Sequence, residues 1–107
     1  DKFKNLSSDQ FEEMIQDKTI QLVDVRTVAE YSEAFIPGRH QYTMILDNEF
    51  GTNIEELLQK DRPVAVYCKS GRRSRNAANI LVKKGFKVYN LDKGILDWKE
   101  LGKEISF

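Results

Sequence analysis

Apolar residues along the chain fall in short runs that alternate between the spacing of strands and the spacing of helices. The nearly continuous apolar runs at Ile20–Val25 and Pro63–Tyr67 predict strands that are covered on both faces. A further strand is predicted at Lys87–Leu91. Tyr42–Leu46 also has the composition of a strand, although the residues before it are polar.

Helical segments lie between these strands. Ser7 with Gln10, and Thr27 with Glu30, have the spacing of capping boxes and predict two helix starts. The second of these helices is expected to end near Ala34. Three further helices are predicted from apolar spacing, and they cover about Thr52–Lys60, Asn76–Lys84 and the segment that carries Ile95, Trp98 and Leu101.

This order of elements predicts an α/β fold. Strands that alternate with helices imply right-handed crossovers, and therefore a mostly parallel sheet, of about five strands here, with helices on both faces. A chain of 107 residues has the size of one hydrophobic core, so one domain over residues 1–107 is expected. The reactive site of such a sheet lies beyond the carboxyl ends of its strands. Cys68 directly follows one of those ends.

Composition excludes several classes of function. Seventeen basic and seventeen acidic residues cancel, so nothing at this level indicates a nucleic-acid or membrane partner. Cys68 and His40 are the only cysteine and the only histidine, and we therefore expect no metal centre and no cofactor. No apolar run approaches the roughly 18–20 residues of a membrane span, and the N-terminal segment lacks the apolar core of a signal peptide. A soluble protein of the cytoplasm or periplasm is expected.

The loop that begins at Cys68 carries the strongest chemical signal. A cysteine between a strand and a helix faces backbone N–H groups that have no helical acceptor, and these groups favour an anion. Gly71 allows the loop to curl tightly. No acidic residue interrupts Cys68–Arg75, whose four basic residues are Lys69, Arg72, Arg73 and Arg75. The pattern predicts a cradle for an anionic sulfur and for an anionic substrate.

Four segments carry a resemblance to a known family: LVDVRTVAEY (Leu22–Tyr31), IPG (Ile36–Gly38), PVAVYCKSGRRS (Pro63–Ser74) and KKGFKVYNLDKGILDW (Lys83–Trp98). Through them the chain resembles a single-domain rhodanese, a sulfurtransferase module, over almost its whole length.

The resemblance implies a specific reaction at this loop. Cys68 would accept a sulfane sulfur as a persulfide and pass it to cyanide or to a thiol, including the thiol of a protein. Backbone amides of Lys69, Ser70, Gly71, Arg72 and Arg73 would hold the persulfide. The side chains of Lys69, Arg72 and Arg73 would attract a small sulfur-containing anion such as thiosulfate.

Asp24, Arg26 and Glu30 match the family's DVR…E pattern. We expect a supporting role for them, with Arg26 paired to Glu30 and Asp24 bracing the neighbouring loops, because the chemistry needs only the thiolate and its cradle. Trp98 is expected to lie in the core.

The sequence departs from the family pattern around IPG. Phe35 stands where the family usually has a histidine, and the polar stretch from Arg39 to Tyr42 replaces a small-apolar strand. Because buried polar residues need partners, the register of this strand stays open. His40 is expected to be solvated rather than catalytic.

Three other functions compete with sulfur transfer. A cysteine-dependent phosphatase would have five residues between its cysteine and arginine, whereas four separate Cys68 from Arg73. A thiol peroxidase would need a second cysteine within the chain to resolve a sulfenic acid. A catalytically silent binding module of the same family would typically have lost the cysteine, which this chain keeps.

Overall fold

Ten short elements alternate along the chain in the computed structural model, which describes residues 3–38 and 41–107. The strands are β1 (Lys4–Leu6), β2 (Gln21–Asp24), β3 (Gln41–Thr43), β4 (Val64–Tyr67) and β5 (Val88–Leu91). The helices are α1 (Ser8–Met14), α2 (Val28–Glu33), α3 (Phe50–Leu57), α4 (Arg72–Lys83) and α5 (Gly94–Glu100).

The five strands form one parallel sheet in the order β1-β5-β4-β2-β3. Strand β4 is central, paired with β2 on one side and β5 on the other, so the residue that follows Tyr67 lies in the middle of the carboxyl edge. The predicted α/β class with a mostly parallel sheet is confirmed. Cys68 stands where three neighbouring strand ends meet.

Alternate residues of the strands point into two separate cores. On one face Val23, Val66 and Val88 pack with apolar residues of α3 and α4, and on the other face Leu22, Ala65 and Leu91 pack with those of α1 and α5. Every residue of β2 and β4 is buried, as expected for strands covered on both faces. Trp98 belongs to the second core, is 2% exposed, and donates its ring N–H to the Glu104 carbonyl at 2.8 Å, which confirms its predicted place.

Both capping boxes are present. Ser7 with Gln10 starts α1, and Thr27 with Glu30 starts α2. Helix α3, in contrast, begins at Phe50 and not near Thr52. Its N-cap Glu49 makes no side-chain capping bond, so the usual sequence signal for that start is missing.

The strand after IPG is shorter and earlier than predicted. It covers Gln41–Thr43 instead of Tyr42–Leu46 and pairs with β2 in the register Leu22↔Gln41. As an edge strand it is only partly buried, and the Gln41 side-chain amide donates to the Ile36 carbonyl, so its polar residues carry little burial cost. Arg39 and His40 lie outside the described residues, and the prediction for His40 stays a prediction.

Strand β1 is a second difference from the predicted elements, since the sequence pattern located no strand before α1. Its three residues pair with β5, from Lys4↔Tyr89 to Leu6↔Leu91, and extend the sheet at its other edge. In residues 3–38 and 41–107, no helix is long and apolar enough to cross a membrane.

A buried ion pair stands at the carboxyl end of β2. The Arg26 guanidinium donates to both carboxylate oxygens of Asp24, at 2.7–3.0 Å, and also to the Ala34 carbonyl. The two side chains are 4% and 0% exposed. Burial opposes the charge on the guanidinium, but the bonds to Asp24 outweigh it and raise the pKa of Arg26. The pair joins the end of β2 to the end of α2, beside the position of Cys68.

Replacing Asp24 by Asn should destabilise the fold strongly, because Arg26 would keep a buried charge with no counter-charge. The expected loss is about 3–5 kcal/mol of unfolding free energy, measured by urea denaturation. The double variant Asp24→Asn/Arg26→Met removes both charges and should recover a substantial part of that loss. Equal stability of wild type and the single variant would contradict this account.

Candidate active site

Cys68 lies beneath its loop with its sulfur facing two backbone donors. The thiol side chain is almost fully buried, at 1% exposure for the residue. The Gly71 amide lies 3.1 Å from Sγ and the Ser74 amide 3.3 Å from it. The Ser74 hydroxyl donates to the Gly71 carbonyl, which closes the curl of the loop. The sulfur therefore occupies a position that a negative charge would favour.

Helix α4 begins at Arg72, and the prediction of a start at Asn76 is wrong. The N-cap is Gly71, with φ of 96° and no side chain to cap the helix, so the sequence carries no capping signal there. The correction changes the site, since Arg72, Arg73 and Ser74 form the first turn of the helix rather than part of a loop. First-turn amides have no acceptor within their helix, and the positive end of the helix dipole faces the sulfur.

The loop packs backbone against backbone on the segment before α5. A Cβ placed on Gly71 would lie 2.0 Å from the Asp92 carbonyl oxygen, and one on Gly94 would lie 2.2 Å from the Lys69 carbonyl oxygen. From the first turn of α5, the Ile95 amide donates to the Cys68 carbonyl at 3.0 Å, and the Leu96 amide donates to the Lys69 carbonyl. Only glycine permits this close approach, and Gly94 has a positive φ of 69° as well.

Glu30 pairs with Arg73, and the predicted pair between Arg26 and Glu30 is wrong. The Arg73 guanidinium donates through two nitrogens to the two Glu30 oxygens, each at 2.9 Å. These bonds lower the pKa of Glu30 to about 2, so the pair stays charged across the neutral range. Arg26 pairs instead with Asp24, and both of these side chains are buried. The pair between Glu30 and Arg73 fixes α2 against the first turn of α4.

A small cavity of about 140 Å³ opens beside the loop. Its charged lining comes from three elements: Arg26 at the end of β2, Glu30 and Glu33 on α2, and Lys99 on α5, together with Lys69 of the loop. Ile95 and Leu96, which hold the loop through their amides, complete the lining. The cavity is bounded by the groups that position Cys68, and it is polar and open to solvent.

The predicted site residues fall into two groups. Cys68, Lys69, Ser70, Gly71, Arg72 and Arg73 form the loop and the start of α4, with the Gly71 amide at the sulfur, Lys69, Ser70 and Arg72 exposed, and Arg73 paired with Glu30. Asp24, Arg26 and Glu30 support them from β2 and α2. In the part of the chain that the structure describes, no three His, Cys, Asp or Glu side chains gather as a metal site.

Sequence reasoning missed two residues of this arrangement. The Ser74 amide is one of the two donors to Sγ, and the correct helix start would have revealed it as a first-turn residue. Gly94 provides the surface on which the loop rests. In the sequence, a glycine just before the last helix is equally typical of an ordinary turn, so it does not indicate this contact.

Comparison with known proteins agrees with this geometry. The model of the rhodanese-like domain family matches residues 7–101. The chain belongs to the rhodanese-like domain family.

Two relatives with named functions are similar over most of their length. This rhodanese-like chain is 36% identical over 99 residues to the thiosulfate sulfurtransferase GlpE of Shewanella oneidensis. The aligned residues cover 92% of this chain and 94% of that protein. It is 40% identical over 82 residues to a sulfurtransferase of Allochromatium vinosum, covering 76% and 73%. These relatives support the sulfurtransferase class that the sequence predicted.

Solved structures confirm the fold. A rhodanese-related protein from Thermoplasma volcanium superposes with a TM-score of 0.83 at 23% identity, over 97% of this chain and 98% of that one. A rhodanese-like domain protein from Staphylococcus aureus gives 0.79 at 24% identity, over 98% and 100%.

Replacing Gly94 by Ala should displace the loop, because the new methyl group would meet the Lys69 carbonyl. A shift of about 1 Å at a reacting group costs about 100-fold in rate, so we expect kcat/KM for sulfur transfer from thiosulfate to cyanide to fall about 10- to 100-fold.

Gly102→Ala is the matched control. Gly102 has nearly the same φ, 72°, but nothing lies within 4 Å of its added Cβ. Both variants carry the backbone strain of alanine in the left-handed region, about 1–2 kcal/mol. Only Gly94→Ala should lose activity, and equal losses in the two variants would show that strain, not contact with the loop, is responsible.

Proposed function

We propose that this protein transfers a sulfane sulfur through a persulfide on Cys68. The Cys68 thiolate attacks the outer sulfur of a thiosulfate-like donor, a new S–S bond forms, and the donor's S–S bond breaks so that sulfite leaves with the electron pair. An acceptor then attacks the terminal sulfur. Cyanide leaves as thiocyanate, or a thiolate leaves as its persulfide, and the Cys68 thiolate is restored.

The observation that carries this proposal is the convergence of backbone amides on Sγ. The amides of Gly71 and Ser74 already face the sulfur, at 3.1 and 3.3 Å. The first-turn amides of Arg72 and Arg73 have no acceptor within the helix, and Gly71 as N-cap brings no side chain to cover them. A persulfide extends one atom beyond Sγ and carries a negative charge, which suits this set of donors.

Charge would bring the donor to the loop. Lys69 and Arg72 are exposed beside Cys68 and are free to meet a dianion. Arg73 is predicted to take the same role, but its two terminal nitrogens donate to Glu30, whose carboxylate offsets its charge. We assign Arg73 instead to positioning the first turn of α4. The acceptor is cyanide or a thiol, and we infer that one domain over residues 1–107 performs both steps.

A cysteine-dependent phosphatase is disfavoured by the length of the loop. Such an enzyme needs a loop that wraps three phosphoryl oxygens and an arginine that braces two of them. Here four residues separate Cys68 from Arg73, one fewer than such a loop requires.

Treatment with thiosulfate should add the mass of one sulfur atom to the protein. Cyanide should remove that mass and release thiocyanate, because it attacks the terminal sulfur of the persulfide. Intact-mass spectrometry before and after cyanide measures both steps.

Cys68→Ser is the control for this experiment and should show neither step. If thiosulfate leaves the wild-type mass unchanged, the protein is a silent module of its family. If wild type also hydrolyses an aryl phosphate and Cys68→Ser does not, the phosphatase function replaces ours.

Neutralising Lys69 or Arg72 to Gln should raise KM for thiosulfate several-fold with little change in kcat. Each exposed charge contributes about 0.2–1 kcal/mol to holding the dianion, and added salt should raise the wild-type KM in the same direction. Lys87→Gln, at the opposite end of β5, is the matched control and should leave KM unchanged. If KM changes neither with salt nor with either substitution, backbone amides alone bind the donor.

A further inference from the structure

The cavity beside the loop is lined by two charges that the proposed reaction does not use, those of Lys99 and Glu33. Of its charged lining residues, Arg26 is neutralised by Asp24 and Glu30 by Arg73. Lys69, Lys99 and Glu33 remain, all exposed. Within the described residues, none of these three has an ion-pair partner within 4 Å.

Lys99 and Glu33 line the cavity from two different helices. Lys99 lies on α5, whose first turn holds the Cys68 and Lys69 carbonyls, and Glu33 is the last residue of α2, the helix that Glu30 fastens to α4. Both residues also line a larger neighbouring cavity of about 400 Å³. They therefore border both cavities.

The dimensions of the cavity make both charges effective. A sphere of about 140 Å³ is roughly 6 Å across, which is less than the Debye length of about 8 Å at physiological ionic strength. Any anion inside the cavity consequently feels the charges of Lys99 and Glu33 together with that of Lys69. The two newly considered charges have opposite signs, so they act against each other on the same ligand.

We propose that Lys99 and Glu33 are specificity-determining residues that set, by opposing charges, how strongly the cavity beside Cys68 selects anionic sulfur donors. Lys99 attracts a dianion such as thiosulfate, and Glu33 limits that attraction. The inference rests on the proposed function, since it concerns the donor of the same reaction. It also predicts a property of the cavity that does not depend on sulfur transfer.

A series of charge variants tests the inference. Lys99→Glu, Lys99→Gln, wild type, Glu33→Gln and Glu33→Lys change the cavity charge in unit steps. KM for thiosulfate should fall along this order by about two- to fivefold per step at low salt, with kcat nearly constant, because the charges act on binding at a distance. The steps should shrink in high salt.

A second readout separates this inference from the proposed function. Iodoacetate and iodoacetamide alkylate a thiolate by the same chemistry, but only iodoacetate is an anion. The rate of iodoacetate divided by the rate of iodoacetamide at Cys68 reports the local electrostatic potential. A change in the reactivity of the sulfur affects both rates alike and cancels in this ratio. This ratio should rise along the same order of variants, whether or not the protein turns over thiosulfate.

Glu100→Gln and Lys87→Gln are the matched controls. Glu100 is the exposed neighbour of Lys99 and lines neither cavity, and Lys87 lies at the far end of β5. Neither change should move KM or the alkylation ratio. A ratio that stays constant across the series, or a Cys68 that neither reagent reaches, would overturn the inference. Failure of wild type to form a persulfide, with the ratio still rising, would overturn only the proposed function.

Discussion

The site depends on one close approach between two stretches of backbone. The loop after Cys68 rests on Asp92–Gly94 without intervening side chains, and the first turn of α5 donates two amides to its carbonyls. This contact holds the loop in place, and the amides of Gly71 and Ser74 face the sulfur within it. The parallel sheet supplies the frame, because β4 and β5 are neighbours and end at the same edge.

Local signals made much of the fold predictable. Buried β2 and β4 follow from continuous apolar runs, and α1 and α2 follow from capping boxes whose partners are three residues apart. The failures have the same physical origin. Helices α3 and α4 start at residues without side-chain caps, and β1 is a three-residue edge strand held by its pairing with β5. In each case the determining contact is tertiary or leaves no mark on neighbouring residues.

The candidate site divides in the same way. Cys68, its basic neighbours and Gly71 are consecutive in sequence, so their gathering could be predicted. The pairing of the charges could not be predicted, because Glu30 and Arg73 are 43 residues apart. The sequence offered Arg26 as the nearer partner of Glu30, but Arg26 is bound to Asp24 in a more buried position. Long-range pairing of this kind decides which cations remain for a ligand.

That pairing also changes the charge that an anion meets beside Cys68. A carboxylate that accepts two bonds of 2.9 Å from an arginine fixes the position of the guanidinium and offsets its charge. The backbone amides of Gly71 and Ser74 face the sulfur, and two exposed cations, Lys69 and Arg72, are close to it in sequence. Amides at close range suit a single terminal atom with a diffuse charge, whereas the flexible cations act mainly by attraction at longer range. The Glu30–Arg73 pair thus has two consequences: it positions the helix whose amides face the sulfur, and it lowers the positive charge that Arg73 presents to an anion.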